Sequence, residues 1–516
     1  VAGGIALLAA VTAFCGFIAV PRMFGGLIAH DDEGYLLVSL RHFLEHGDLY
    51  DGTFSQYGPF YYVVFGGLFR LWGREPTLFT GRVVQITMWM GTSLVAGLVV
   101  LTMTRRWLAA AFAQLATFGV LVVLASEPMH PGGLLCLLLV VLAALVVTTP
   151  QHDHARVWRS AGVGAAVAAL LLVKVNVGAF ALVALAFVLV VGRRALPTWL
   201  RLGTGVATVA LPWALMAGDL EHSWARQFAG LISLGVALLL WVLWSDHREA
   251  DARLSPRWVA IGATVVGVVT TAVVLATGTS VGGLVDGALL RPLRQRSGYS
   301  LPFEPSDFLP LLLILGALVP VYLWYRTSLS AERRSLITAS VNGIVGLLLV
   351  TSALAWWPSG GALSFLPLAA LIAVDPSEQE RARRFGRRAL VALALFQGLH
   401  AYPVAGSQVG FAAFLLIPVG VVGIVDALTI VQQRVPLPGR IAALIVPALL
   451  IASFVTDDRF DPGRVRDVYE HETALDLPGA GWVRNLPLRA IAYGAMTDAL
   501  RTHCDTFFSM PGLNSF

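Results

Sequence analysis

Residues Val1 to Glu33 read VAGGIALLAAVTAFCGFIAVPRMFGGLIAHDDE. The uncharged run 1–20 has the length an α-helix needs to cross the hydrocarbon core of a bilayer. Three consecutive carboxylates, Asp31, Asp32 and Glu33, follow it closely, so the sequence enters a membrane and leaves its acids at the edge. The remaining chain agrees. Of 516 residues 57% are hydrophobic and only 13% charged, with a mean hydropathy of +0.75. Soluble domains carry about twice that share of charge, so a soluble globule is excluded. Apolar runs of spanning length recur, and we expect an all-α polytopic protein with about fifteen transmembrane helices, the late ones including 308–325, 361–374 and 440–455. The transmembrane unit is expected over 1–455, with a first extracytoplasmic loop at 21–78. A small extracytoplasmic domain begins at 456 and runs to 516. The apolar start and the lack of a stop signal at Phe516 read as truncation at both ends. The run 1–20 has no basic flank before it, which argues against a cleaved signal peptide.

The net charge of +5 comes from 36 basic and 31 acidic residues, and Lys174 is the sole lysine. In a membrane protein such charge is an orientation signal rather than a nucleic-acid footprint, because Lys and Arg stay on the cytoplasmic side of short loops. Short connections at 104–107, 149–159, 193–201, 245–257, 326–334, 375–388 and 433–440 hold 20 arginines, against 2 basic residues in the short connections of the other side. The amino terminus is therefore expected in the cytoplasm, and the long segments and carboxyl end outside. Cys15, Cys136 and Cys504 are scattered, with no disulfide framework and no cysteine metal site. The arginine bias suggests a GC-rich bacterial genome and a place in the bacterial cytoplasmic membrane.

Three adjacent carboxylates near low dielectric repel one another, and at least one is pushed towards its neutral form unless a cation is close. Leu36, Leu37, Leu40, Phe43 and Leu44 recur at helical spacing, so 33–46 is expected as a short helix lying on the bilayer, and Pro59–Phe69 as a second interfacial helix. A helix cap would explain one acid, not three. The stretch 161–192 is flanked by arginines on both sides and must cross twice, leaving Lys174 and Asn176 at its outer tip.

The acids after the first span, the interfacial helix, Gly47-Asp48-Leu49-Tyr50 and the run Tyr57-Gly58-Pro59-Phe60-Tyr61-Tyr62 together resemble the first outer loop of GT-C glycosyltransferases. These include protein O-mannosyltransferases, aminoarabinose transferases and arabinosyltransferases. The resemblance is specific in 31–62 and architectural beyond it. It implies an active site at the outer membrane face, a polyprenyl-phosphate-linked sugar donor, and an acceptor that is a glycan, lipid or protein. It also implies that an Asp of this loop acts as base or orients the acceptor. Asp31 and Asp32 are the base candidates, and Glu33 is a third catalytic candidate or orients a His or Arg.

Further outer features could complete such a site. Lys174, alone at the rim, has a phosphate as its natural partner, and Arg291, Arg294 and Arg296 form a cluster able to grip phosphate. Acceptor contacts are expected from Tyr57, from Glu127 and His130 in a Pro-bounded turn, from Asn176, and from Tyr299 stacked on a sugar ring. The turn bearing His400, Tyr402 and Gln408 is polar and aromatic, as a carbohydrate-facing loop would be. Asp31 and Asp32 could hold a divalent cation, the one cofactor the sequence raises. The chain has no phosphate-binding G-x-x-x-x-G-K-[ST] loop and no H-E-x-x-H zinc helix, and His152-Asp153-His154 reads as a solvated turn. A secondary transporter or a flippase of lipid-linked saccharides is the alternative. It is the weaker one, because charge gathers at the rims instead of the midplane.

Overall fold

The computed structural model describes all residues except 28–31, 54, 151, 247–250, 292–301, 304–321, 323–327, 356–359, 377–380, 403–405, 436–437, 439, 442–447, 449–451, 453–458 and 505–516. The chain is mostly helical. Its first half forms α1 (Ala2–Phe24), α2 (Glu33–His46), α3 (Pro59–Trp72), α4 (Leu78–Thr104), α5 (Trp107–Val120, continued as a tighter turn to Ala125) and α6 (Gly132–Val147). Next come α7 (Asp153–Val173), α8 (Val175–Val191), α9 (Thr198–Leu215), α10 (Ser223–Ser245) and α11 (Pro256–Ala276). Later helices include Ala331–Ala355, Arg381–Gln397 and Leu416–Arg434. Among the described residues, eight helices are long and apolar enough to cross a membrane, and shorter apolar ones such as α6 and α8 lie beside them. The expected spans 308–325 and 440–455 fall mostly on residues outside the described set.

One expected span takes a different form. The run 361–374 is not a single helix but three short pieces, Gly360–Leu363, Leu366–Leu368 and Ala369–Ile372. Pro367 cannot donate to a regular helix, and Leu363, Leu366, Ala369 and Ala370 are fully buried. Irregular backbone is tolerated at membrane depth when protein surrounds it.

Small residues set the closest helix contacts. A Cβ on Gly164 of α7 would lie 1.9 Å from the Val259 carbonyl oxygen of α11, and one on Gly262 would lie 1.9 Å from that of Ala161. With no hydrophobic drive between helices in lipid, such close backbone approach supplies the packing.

The outer loop is stitched to its neighbours. The Gly58 amide donates to the Val173 carbonyl at 2.9 Å, and the Leu49 amide to Thr279 Oγ1 at 2.9 Å. The Asp51 carboxylate accepts from the Ser280 amide at 2.6 Å and from its hydroxyl at 2.9 Å. These bonds gather the loop between α2 and α3, the α7–α8 junction and the end of α11 at one rim.

The carboxyl segment docks on the same rim. It carries helices Pro462–His471 and Pro487–His503 and a two-stranded antiparallel ribbon, β1 (Thr473–Ala474) with β2 (Arg484–Asn485), in the register Thr473 opposite Asn485. Trp482 packs edge-on against Phe24 and Phe79, and the Phe79 amide donates to the Gly479 carbonyl at 2.8 Å. At the opposite end, Gly4 of α1 lies against Trp107, so the amino terminus and the Arg105-Arg106 turn share that end.

Candidate active site

Asp32 stands at the N-cap position of α2, yet its side chain makes no capping bond. Its Oδ2 instead accepts from the Tyr57 hydroxyl at 3.0 Å, with Gln56 Nε2 at 3.5 Å. Tyr57 is held from behind by its own backbone, where its carbonyl accepts from the Tyr50 hydroxyl at 2.8 Å and its amide donates to Ser55 Oγ at 3.1 Å. Tyr50 adopts a left-handed conformation (φ 75°), which turns the chain so that its buried ring reaches back.

On the other side of the Tyr57 oxygen lies His130 Nε2, at 3.1 Å. The Gly132 amide donates to His130 Nδ1 at 2.9 Å, so Nδ1 accepts and Nε2 carries the hydrogen. The relay then has one direction, with His130 donating to Tyr57 and Tyr57 donating to Asp32. Burial, followed by the charge of Lys174, pulls His130 down to about 3, so its ring stays neutral. Burial and then the Asp32 charge raise Tyr57 well above the usual phenol range, so it stays a donor. Met129, left-handed at φ 61°, shapes this turn, and its carbonyl accepts from the Tyr61 hydroxyl at 2.9 Å.

Glu127 lies 4.0 Å from His130 Nδ1 across the turn. Burial raises its carboxyl, and a hydrogen bond from Ser407 opposes that rise; the nearby Asp32 and Lys174 charges add smaller effects of opposite sign. Lys174 breaks the helical path between α7 and α8 with an extended backbone (φ −153°, ψ 108°). Its Nζ lies 3.3 Å from His400 Nε2, and since an ammonium only donates, that nitrogen accepts. Burial lowers Lys174 from the ordinary lysine value to about 8, against the opposing pull of Glu127 and then Asp32. Phe411 lies stacked against both imidazoles, with centroids 5.3 Å from His130 and 6.2 Å from His400.

The structure thus brings Asp32, Tyr57, Glu127, His130, Lys174 and His400 into one rim site from five separate stretches of chain. Glu33 is turned away. Both of its oxygens accept from Arg82 (Nε at 2.8 Å, Nη2 at 2.7 Å), and Arg82 Nη1 donates to the Met23 and Gly26 carbonyls at 2.7 and 2.9 Å. Glu33 and Arg82 therefore tether α2 to the end of α1 and the start of α4. Asn176 Oδ1 accepts from the Val177 amide, a local bond, at 3.0 Å. Tyr402 donates to Asp219 and tilts against Trp224, a separate rim cluster. Gln408 opens helix Gln408–Ala413 next to Ser407, with its Oε1 buried and without a hydrogen-bond partner. Arg291 pairs with Asp286 at 2.7 Å. Asp31, Arg294, Arg296 and Tyr299 lie outside the described residues. Sequence reasoning missed Arg82, Ser407 and Phe411. Arg82, buried inside a spanning helix, was the one with a readable signal, since such a charge needs an acid partner.

Helices crossing a membrane, with a carboxylate, a lysine and neutral imidazoles gathered at one rim, define a polytopic membrane protein with an enzyme-like polar site. No protein-family model matches the chain, and no curated protein matches it. Among solved structures the chain is similar to ArnT from Cupriavidus metallidurans bound to undecaprenyl phosphate, with 17% identity over 84% of this chain and 78% of that one and a TM-score of 0.32. The apo state of the same protein gives 16% identity over 83% and 78% of the two chains, with a TM-score of 0.30. At this looseness of fit neither likeness fixes the chemistry of this chain.

Proposed function

We propose that this chain is a GT-C-type membrane glycosyltransferase that moves a sugar from a polyprenyl-phosphate donor to a hydroxyl on an extracytoplasmic glycan, lipid or protein. The observation that carries the reading is the gathering of a base and a cation at one rim: Asp32 is joined through Tyr57 to His130, Lys174 is joined to His400, and Phe411 stacks against both imidazoles. In this reading Asp32 takes the proton of the acceptor hydroxyl as its oxygen bonds to the anomeric carbon. The bond from that carbon to the phosphate oxygen breaks, and its electron pair leaves with the lipid phosphate. Lys174 stabilises the departing negative charge, and His400 holds the ammonium in place. Tyr57, backed by His130, aims the Asp32 carboxylate through its hydroxyl, while Glu127 and Gln408 stand where an acceptor could be gripped. No step is assigned to a divalent cation, since Asp31, the second acid expected to hold one, lies outside the described residues.

The arginine partition supports a bacterial cytoplasmic membrane location with the amino terminus inside and this rim outside. The test uses the full chain in lipid nanodiscs with radiolabelled polyprenyl-phosphate sugars, comparing wild type with Asp32→Asn. Turnover should fall about 10²- to 10⁴-fold in the variant while donor binding persists. A fully active Asp32→Asn protein, or no donor bound from a broad panel, would overturn the reading.

A further inference from the structure

At the end of the bundle opposite Asp32, a cleft of about 430 Å³ opens between the α4–α5 turn and helix Leu416–Arg434. Its mouth is formed by Arg105, Arg106 and Arg440, with Gln432 and Thr429 beside them. We propose that this cleft binds the phosphodiester headgroup of an anionic phospholipid from the cytoplasmic leaflet. The cytoplasmic assignment rests on the orientation proposed above.

The cations are placed for an anion and, among the described residues, no carboxylate lines the cleft. Asp426, on the lining helix Leu416–Arg434, is engaged with Arg387 and Asn342, and Glu332 of the neighbouring helix Ala331–Ala355 pairs with Arg434 at 3.0 Å. Arg106 Nη2 donates to Gln432 Oε1 at 2.6 Å, which fixes one guanidinium across the mouth. Arg105 is exposed and sits in the left-handed region (φ 56°) without being glycine, a conformation that turns the chain sharply between the two helices. The start of α5 faces the same space, with neither a side-chain cap nor an acid in its first turn, so its free amides and positive dipole end add to the arginines.

The wall below the mouth has the opposite character. Leu108, Ala109, Val425 and Leu428 line it, together with Trp107. A free phosphate ion would use only the mouth, whereas a phospholipid uses both, with its headgroup on the guanidinium groups and the first part of an acyl chain along the wall. The leaflet on this side is rich in anionic lipid, and arginines close to it are attracted accordingly.

The experiment takes the full chain in neutral detergent and measures saturable thermal stabilisation by dioctanoyl phosphatidylglycerol, dioctanoyl phosphatidylcholine and inorganic phosphate. Wild type is expected to be stabilised by phosphatidylglycerol and not by phosphatidylcholine. In the double variant Arg106→Gln, Arg440→Gln, affinity for phosphatidylglycerol should weaken about twenty-five-fold, about fivefold for each arginine beside an anionic group. If the double variant does not fold, Arg440→Glu serves, since Arg440 is exposed, and it should lose more than fivefold. Equal affinity in wild type and variants would overturn the proposal. Phosphatidylcholine matching phosphatidylglycerol would do the same, and inorganic phosphate binding as tightly as the lipid would overturn the lipid assignment.

Discussion

Lys174 gives the sharpest test, because its protonation state changes within an accessible pH range. Burial lowers it to about 8, so about nine-tenths of the free enzyme carries the ammonium at pH 7 and about one-tenth at pH 9. Only the ammonium can oppose a departing phosphate, so kcat/KM should fall about tenfold between those pH values with a slope of one proton. Its neighbours His130 and Tyr57 do not imitate it, since His130 is already neutral and Tyr57 is raised well above the phenol range. Unfolding has the wrong sign to imitate the effect. A lysine depressed from 10.5 to about 8 binds fewer protons folded than unfolded in that interval, so this group makes the fold more stable as pH rises through it. The assay is initial-rate transfer from the lipid-linked donor at sub-saturating concentration from pH 6.5 to 9.5, with wild type, Lys174→Arg and Lys174→Met. Lys174→Arg should lose the alkaline limb, because a guanidinium stays charged throughout, whatever its absolute rate. Lys174→Met should lose about 10²- to 10³-fold at pH 7 and show no alkaline limb, so that its deficit against wild type shrinks about tenfold by pH 9. A flat wild-type profile, or a Lys174→Met enzyme of normal rate, would refute the role.

Tyr57→Phe removes the link between His130 and Asp32 and leaves the His130 N–H without its acceptor. We expect kcat to fall about tenfold, and stability by about 1–3 kcal/mol; a normal rate with only the stability loss would show that the relay does no catalytic work. Arg82→Met strands the buried Glu33 carboxylate and should cost about 3–5 kcal/mol in unfolding free energy. Adding Glu33→Gln should recover part of that loss, and an unchanged unfolding midpoint in the single variant would count against the tether. Gly164→Val should destabilise the α7–α11 contact by about 1–3 kcal/mol or prevent folding, since its Cβ has a carbonyl oxygen 1.9 Å away. Thermal unfolding in detergent measures it.

The site was legible where local chemistry announces itself. The apolar spacing from Leu36 to Leu44 predicts a helix, and Glu33–His46 is one; Pro59 marks the start of the next, which ends at Trp72 rather than Phe69. Lys174, a charge between two apolar halves, marks the junction of α7 and α8, and the Pro-bounded turn holding Glu127 and His130 lies at the site. Long-range partnership was not legible. Nothing near Glu33 in sequence announces Arg82, and nothing near Lys174 announces His400, because these contacts depend on which helices become neighbours. The broken segment at Gly360–Ile372 was hidden for a related reason. Its composition fits a spanning helix, and only the surrounding protein makes irregular backbone affordable there.

The division of labour between arginine and lysine supports treating Lys174 as functional. Three buried arginines, Arg82, Arg159 and Arg201, work as struts that satisfy carbonyls left over where helices end, while Arg387 and Arg388 pair with Asp426 and Asp246. Arg82 takes the Met23 and Gly26 carbonyls at the end of α1, Arg201 Nε takes that of Val191 at the end of α8, and Arg159 takes those of Leu145 and Val146 at the end of α6. A planar fork of donors with a permanent charge suits fixed carbonyls and complements the negative end of the helix dipole. Lys174 has no such duty. Its side chain meets an imidazole and the fields of two acids, and a compact ammonium whose charge responds to burial can serve a ligand that arrives and leaves. In a chain that uses arginine for every structural cation described here, a lysine at the one rim where Asp32, His130 and His400 converge is best explained by an anionic substrate group that is present only during turnover.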